Sequence, residues 1–317
     1  MPSSAALHSK PFAGQLAALR VAVIGGGGFV GRHVAQALVG AGAVLSIACR
    51  RPERAHALRS LGDPGQVAFA TVDVTRPDTL APVIAQADAV VYMAGAFAGD
   101  LDAIQGRGVG RVAAMAAQAG VRAFVHVSAL GGDAASPYAY ARTKAQGEAA
   151  VMETYAKATI LRPSVIFGPD DAFLNMFARL MVLAPVLPVF GPDAVMQPVL
   201  VDDVAQAVVA ALVDPVAHGG RRYALGGPEV VTMMQLNQRI AAACHRHPWL
   251  LPMPDGLARV IAALPGTPIT PDQYALLLAG STVPPGEPDL AALGLTARPM
   301  GLYLDRWMAR YRPKGRV

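Results

Sequence analysis

The stretch VAVIGGGGFVGRHVAQALVG, residues 21–40, restricts what this chain can fold into more than any other. Residues 21–24 read as a buried strand, residues 29–40 carry helical spacing, and four consecutive glycines join them. So abrupt a passage from strand to helix needs residues without a Cβ. The early glycines, Gly25 among them, permit the tight turn; Gly28 lets a ligand approach the backbone; and Gly31 lets the helix pack against the strand. A helix that starts there presents unpaired N–H groups, around Phe29 and Val30, to a pyrophosphate. In this context the loop reads as a dinucleotide fingerprint.

The rest of the first half supports that context. Apolar runs at 20–25, 44–50, 67–74, 89–95, 123–130 and 158–168 alternate with Ala-rich segments of helical periodicity, such as 109–120. Continuous apolar strands separated by helices predict a parallel sheet covered on both faces. The expected fold is α/β: a Rossmann-type doubly wound parallel sheet with a small C-terminal lobe. The expected divisions are a mobile leader (1–18), the nucleotide-binding domain (19–168), and a remainder (169–317) that completes the sheet and adds the lobe and a basic tail. Residues 196–215 read as a short strand and a helix packed back on the sheet, and prolines become dense beyond His245.

Composition excludes several classes. The 317 residues are 53% hydrophobic and only 15% charged, yet no uncharged apolar window reaches the roughly 18 residues of a membrane span. The N-terminus lacks a secretory pattern, and two cysteines make no disulfide framework. A cytoplasmic setting is expected, either free or peripheral on the cytoplasmic face of an inner membrane (the matrix face in a mitochondrion). The net charge of +5 is scattered except in the tail, where Arg306, Arg310, Arg312, Lys314 and Arg316 surround Trp307 and Tyr311. That tail reads as a solvated helix end or as a contact for anionic lipid or an acidic partner. Groove-reading motifs are absent, so no nucleic-acid partner is expected.

The end of the second strand selects the cofactor. NAD-specific folds place an acidic residue about twenty positions beyond the loop. Here Cys49, Arg50 and Arg51 occupy that place. Arg50, supported by Arg51, suits a 2′-phosphate, so NADP(H) is expected over NAD(H). Asp73 reads equally as an adenine partner or a turn cap, with Val74 beside it. Ala94 and Gly95, ending the fourth strand, are further candidate contacts.

Ser128 ends the fifth strand, and Tyr140 and Lys144 stand four residues apart, on one face of a helix. Lys144 can lower the phenol's pKa and hold a ribose, Tyr140 can pass a proton, and Ser128 can polarise a carbonyl.

With these residues the chain resembles the short-chain dehydrogenase/reductase superfamily, in its extended or atypical NAD(P)-dependent epimerase/dehydratase branch. That resemblance brings Pro163, Ser164 and Val165 into the nicotinamide pocket. The segments ILRPSVIFGPDDAFLNMFARL and QPVLVDDVA, with the late PPGEPDLAALGLTARPMGLYLDRWMARYR, are similar to the nucleotide-binding accessory subunits of respiratory complex I and their bacterial relatives. This implies a tightly held, structural NADPH, complex I subunits as partners, and a C-terminal lobe near the membrane surface. Two departures from active enzymes weigh against turnover. Gln105 stands where the catalytic Asn is usual, and the stretch from Ser128 to Tyr140 is short for a sugar-nucleotide epimerase. The alternative is a free NADP-dependent reductase or epimerase/dehydratase using Ser128, Tyr140 and Lys144, and a weaker third is a nucleotide-binding redox sensor.

Other signals read blandly. Cys244, His245 and His247 have no second cluster to complete a metal site, so no metal is expected. His126 reads as a packed, hydrogen-bonded histidine on the Ser128 face, Asp202–Asp203 as an N-cap, and Asp170–Asp171 as a turn.

Overall fold

The computed structural model describes residues 12–264 and 269–313. The apolar runs become β1 (Arg20–Ile24), β2 (Val44–Cys49), β3 (Val67–Thr71), β4 (Ala89–Tyr92), β5 (Ala123–Val127) and β6 (Thr159–Pro163), joined by β7 (Arg222–Leu225). They form one seven-stranded sheet in the order β7-β6-β5-β4-β1-β2-β3. Every pairing is parallel. The order reverses between β1 and β4, which opens a crevice beyond the carboxyl ends of those strands.

The ladders of β3, β4 and β5 stop three residues short of their apolar runs. The leftover residues, 72–74, 93–95 and 128–130, turn out of the sheet and border the crevice. β7 was not foreseen. Its four residues, RYAL, are too short to show a period and gain strand character from pairing with β6. The short strand expected near 199 exists, but Val199–Leu200 pairs with Ile166–Phe167 outside the main sheet.

Helices cover both faces. α1 (Phe29–Gly40) and, later in the chain, the helix Val201–Val213 lie on one, where Val34 and Leu38 meet Val204 and Val208 over the sheet. α2 (Pro77–Ala85), α3 (Leu101–Gln105), α4 (Arg107–Gln118) and α5 (Ala139–Thr154) belong to the other, where Val109, Val112 and Val151 pack with Phe124. α6 (Phe173–Leu183) leads into the lobe, and Val201–Val213 is α7. The lobe adds α8 (Met233–Ala243), α9 (Asp255–Ala263), α10 (Pro271–Ala279) and α11 (Gly301–Met308). Its core joins Leu174 and Phe177 to Leu236, Ile240 and Leu304.

Residues 12–18 of the expected leader pack against the sheet domain; Leu16 is buried and its N–H donates to the Ala41 carbonyl at 2.9 Å. The remaining residues of that segment, 1–11, lie outside the described residues.

α5 is tied to the sheet by charge. Arg162 on β6 donates to Glu148 through Nε at 2.9 Å and through a terminal guanidinium nitrogen at 2.5 Å, and Glu148 is buried. Removing one partner strands the other charge in a poorly solvated place. Arg222 lies 3.6 Å from the same carboxylate and softens the loss. The variant Arg162→Met is therefore expected to cost about 3 kcal/mol of unfolding free energy, the lower end for a broken buried pair. Chemical denaturation with an unchanged slope checks this.

Candidate functional site

The glycine turn has the geometry its residues require. Gly25 has φ +88°, and a Cβ there would lie 2.8 Å from the Ala94 amide nitrogen. A Cβ on Gly31 would stand 2.6 Å from the Gly26 backbone, so α1 crosses its own loop at a distance only glycine allows. Gly28, the N-cap of α1, has space: a Cβ would meet only the Gly25 oxygen, at 3.5 Å. No side chain caps α1 and no acidic residue occupies its first turn, so the first N–H groups are left for an anion. The Phe29 ring faces inward, tight against Gly168 and edge-on to His33, and Val30 packs on the core. Only the backbones of Phe29 and Val30 remain to serve a ligand.

Arg50 and Arg51 are exposed beyond the end of β2, and their side chains have neither a hydrogen bond nor an ion pair among the described residues. Asp73 acts as a turn cap, since its carboxylate accepts from the Thr75 N–H at 2.9 Å and the Thr75 hydroxyl at 2.7 Å. Those bonds, helped by the nearby positive charge of Arg50, hold its pKa below the usual value. Val74 is half-buried beside it.

On the other side of the crevice, Ser128 is buried and its Oγ has no hydrogen-bond partner among the described residues, Tyr140 included. Lys144 is buried on α5, with its Nζ 5.7 Å from the Tyr140 ring centroid. A Cβ on Gly95 would lie 3.6 Å from that Nζ and 3.5 Å from Gln105 Oε1. Gln105 is itself fixed, donating to Thr143 at 3.0 Å and accepting from the Ala96 N–H at 3.3 Å. Burial lowers the Lys144 pKa to about 8, against the pull of Glu148, and burial pushes the Tyr140 phenol up to about 12. At neutral pH the Tyr140 phenol is therefore protonated, as a proton donor must be. Pro163 and Val165 follow at the end of β6, where their carbonyls accept from Leu130 and Val199.

An uncapped helix end, a glycine with open space, an orphaned buried hydroxyl and an unpartnered arginine pair fit a dinucleotide. When bound, that group would supply or accept a hydride. The chain's own residues would hold its phosphates, orient its ring and carry the proton.

Several expectations need correction. His126 is packed as expected, fully buried against Tyr92, but neither ring nitrogen has a hydrogen-bond partner among the described residues; burial and the nearby Lys144 charge push its pKa to about 3, keeping it neutral. Asp202 and Asp203 do not cap α7, whose N-cap is Leu200. Asp203 instead accepts from Arg298 at 2.6 Å, while Asp202 meets His33 Nδ1 at 2.7 Å. Asp170 does lie in a turn, as expected, and it also pairs with Arg32 and lies 3.3 Å from His33 Nε2; buried Asp171 accepts from the Leu174 N–H at 2.6 Å. The basic tail turns inward. Arg310 donates to the Pro169 carbonyl and to Asn175 at 2.6 Å, and Arg312 donates to the Ala243 carbonyl at 3.0 Å. Arg306 stays exposed, while Lys314 and Arg316 lie outside the described residues.

Two features escaped the sequence reading. One is Phe97, stacked on Tyr140, whose only signal is an aromatic residue set between Gly95 and Gly99. The other is the clasp of His33 with Asp202 and Asp170, which joins α1 to segments far along the chain. Burial alone would lower the His33 pKa, but the two carboxylates outweigh it and raise it.

A raised histidine pKa means stabilisation that is complete below the ordinary value of about 6.5 and lost as pH rises through the folded value. The wild type should thus lose stability relative to His33→Gln on alkaline titration over that interval, as read by thermal unfolding at a series of pH values. Gly31→Ala should cost about 1–3 kcal/mol by forcing α1 off its loop. It should weaken nucleotide binding at the same time, which calorimetry of both quantities checks.

Relatives and solved structures share this fold. Among curated relatives, NADH dehydrogenase (ubiquinone) 1 alpha subcomplex subunit 9 of Arabidopsis thaliana is 32% identical over 76% of this chain and 62% of its own length. The mouse protein of that name is 30% identical over 96% of this chain and 84% of its own. Thus the chain spans under two thirds of the Arabidopsis protein but most of the mouse one. A ceramide reductase of Caulobacter vibrioides is 32% identical over 62% of each chain. The solved structure of MoeE5 in complex with UDP-glucose and NAD superposes with a TM-score of 0.70 over 92% of this chain and 99% of its own, at 17% identity, a likeness of fold. The model of the NAD dependent epimerase/dehydratase family matches residues 21–226. This chain belongs to that NAD(P)-dependent family, built on a Rossmann-type parallel sheet.

Proposed function

We propose that the chain holds NADP(H) as part of its structure and serves as an accessory subunit of, or close partner to, an NADH:quinone oxidoreductase. The observation that carries this reading is the likeness, along nearly the whole chain, to a subunit named for that assembly. The site supports a held nucleotide: the phosphates on Gly25, Gly28, Gly31 and the first amides of α1, a 2′-phosphate on Arg50 with Arg51, and the ring side on Ala94, Gly95, Ser128, Tyr140, Lys144, Pro163 and Val165. Asp73 and Val74 would border the adenine.

The lobe offers a docking face. The strand Trp249–Pro252 pairs in parallel with Val186–Val189, placing Trp249 beside Val186 and Leu251 beside Pro188. Trp249 is 80% exposed, Leu251 is also exposed, and Leu183 stands exposed at the end of α6. α9 and its C-terminal end add exposed Leu257, Val260 and Leu264, while Ala258 and Ala262 face the interior. So much clustered apolar surface marks a contact with partner subunits or a membrane surface. No described helix is long and apolar enough to cross a membrane, so the association would be peripheral, on the cytoplasmic or matrix face.

A free NADP-dependent reductase is the second reading. Ser128, Tyr140 and Lys144 are all present, and a named reductase is among the relatives.

Replacing Arg50 with Ala should reduce the preference for NADPH over NADH about tenfold or more, the worth of one hydrogen bond to a charged group. Equal losses for both nucleotides would remove Arg50 from the 2′-phosphate. Trp249→Ser combined with Leu251→Ser should leave nucleotide binding intact and abolish co-purification with the oxidoreductase. If the wild type itself never co-purifies and instead turns over NADPH with a free carbonyl substrate, the second reading replaces the first.

A further inference from the structure

Phe97 lies on the loop between β4 and α3, and the residue is 62% exposed. It does not point away from the protein. Its ring stacks on Tyr140 with centroids 4.7 Å apart and planes within 8° of parallel. The loop that carries it is light: Gly95 comes two residues before, and Gly99, with φ +85° and nothing within 4 Å of a would-be Cβ, two residues after. An aromatic that gives up burial on one face to cover a phenol on the other has a specific placement to explain. Ser128 Oγ, at the end of β5, is buried without a partner among the described residues.

We propose that Phe97 is the residue that decides what reaches Tyr140: seated on the phenol, it denies a second substrate the proton-transfer side of the site and leaves the nucleotide-holding side intact. This rests on the reading of a held nucleotide. The gate accounts for a chain that keeps Ser128, Tyr140 and Lys144 without committing them to a free substrate. It also makes Phe97 a specificity-determining position, since a smaller residue there opens the phenol to a carbonyl compound of modest size.

Acetylation by N-acetylimidazole, followed residue by residue with mass spectrometry, tests the gate. Tyr138, at 36% exposure and two residues from Tyr140, is the internal reference. In the purified wild type, Tyr138 should react and Tyr140 should resist. Phe97→Ala should raise the Tyr140 rate at least tenfold with the Tyr138 rate unchanged, and Phe97→Trp, which can restore a stack, should return protection. The phenol's midpoint in Phe97→Ala, read by ultraviolet difference against Tyr140→Phe, should move from about 12 toward the ordinary value of about 10. Each measurement is made with and without added NADPH. Equal Tyr140 rates in wild type and Phe97→Ala would overturn the gate, as would a wild-type Tyr140 that reacts like Tyr138. Protection that depends on NADPH and ignores residue 97 would overturn the gate but leave nucleotide holding in place; protection that follows residue 97 in a protein that releases no nucleotide on denaturation would do the reverse.

Discussion

The contact between Gly31 and the Gly26 backbone is the constraint from which the rest of the site follows. It brings the first turn of α1 against the loop that leaves β1, close enough that a single methyl would force them apart. With α1 seated, its N-terminal amides point into the crevice at the strand-order reversal, and the Gly25 turn rests against Ala94 at the end of β4. The same helix then serves as the anchor for distant chain. Arg32 and His33 take hold of Asp170, His33 also holds Asp202, and Arg310 closes onto the Pro169 carbonyl from the far end of the lobe. A nucleotide on α1 would therefore sit at the hub that joins the sheet domain to the lobe, where added order in one place steadies both.

The crevice has two unlike halves. The half proposed for the phosphates is open, with Gly28 uncrowded and the Arg50 and Arg51 side chains without a partner among the described residues. The half proposed for proton transfer is closed, with Tyr140 beneath Phe97, Lys144 buried and Ser128 unsatisfied among the described residues. Gln105 contributes to that closure, because both ends of its amide are engaged inside the chain, one with Thr143 and one with the Ala96 N–H. Holding a nucleotide and acting on a substrate are thus separable properties here. The geometry favours the first.

Much of this was legible from residue pattern. Six of the seven main strands follow from apolar runs of ordinary length, and the glycine turn follows from the absence of side chains where backbones must touch. Ser128, Tyr140 and Lys144 were visible because a helix places positions four apart on one face. What was hidden depends on contacts between residues far apart in the chain. β7 is a strand because β6 offers it an edge, and four residues carry no period of their own. Asp202 and Asp203 sit where N-caps occur, yet a histidine 169 residues away and an arginine 95 residues away take the two carboxylates. Arg310 and Arg312 look like free surface charge in a basic run, and only the folded lobe shows the carbonyls that receive them. Local chemistry told which residues were available, and tertiary packing chose their partners.

The central claim is that the nucleotide is held as part of the fold. Denaturing the purified native protein and identifying what is released, and in what ratio to the chain, tests it most directly. The account predicts NADPH near one equivalent, surviving extensive washing. A protein that emerges empty and exchanges NADP(H) freely when it is supplied would contradict the claim.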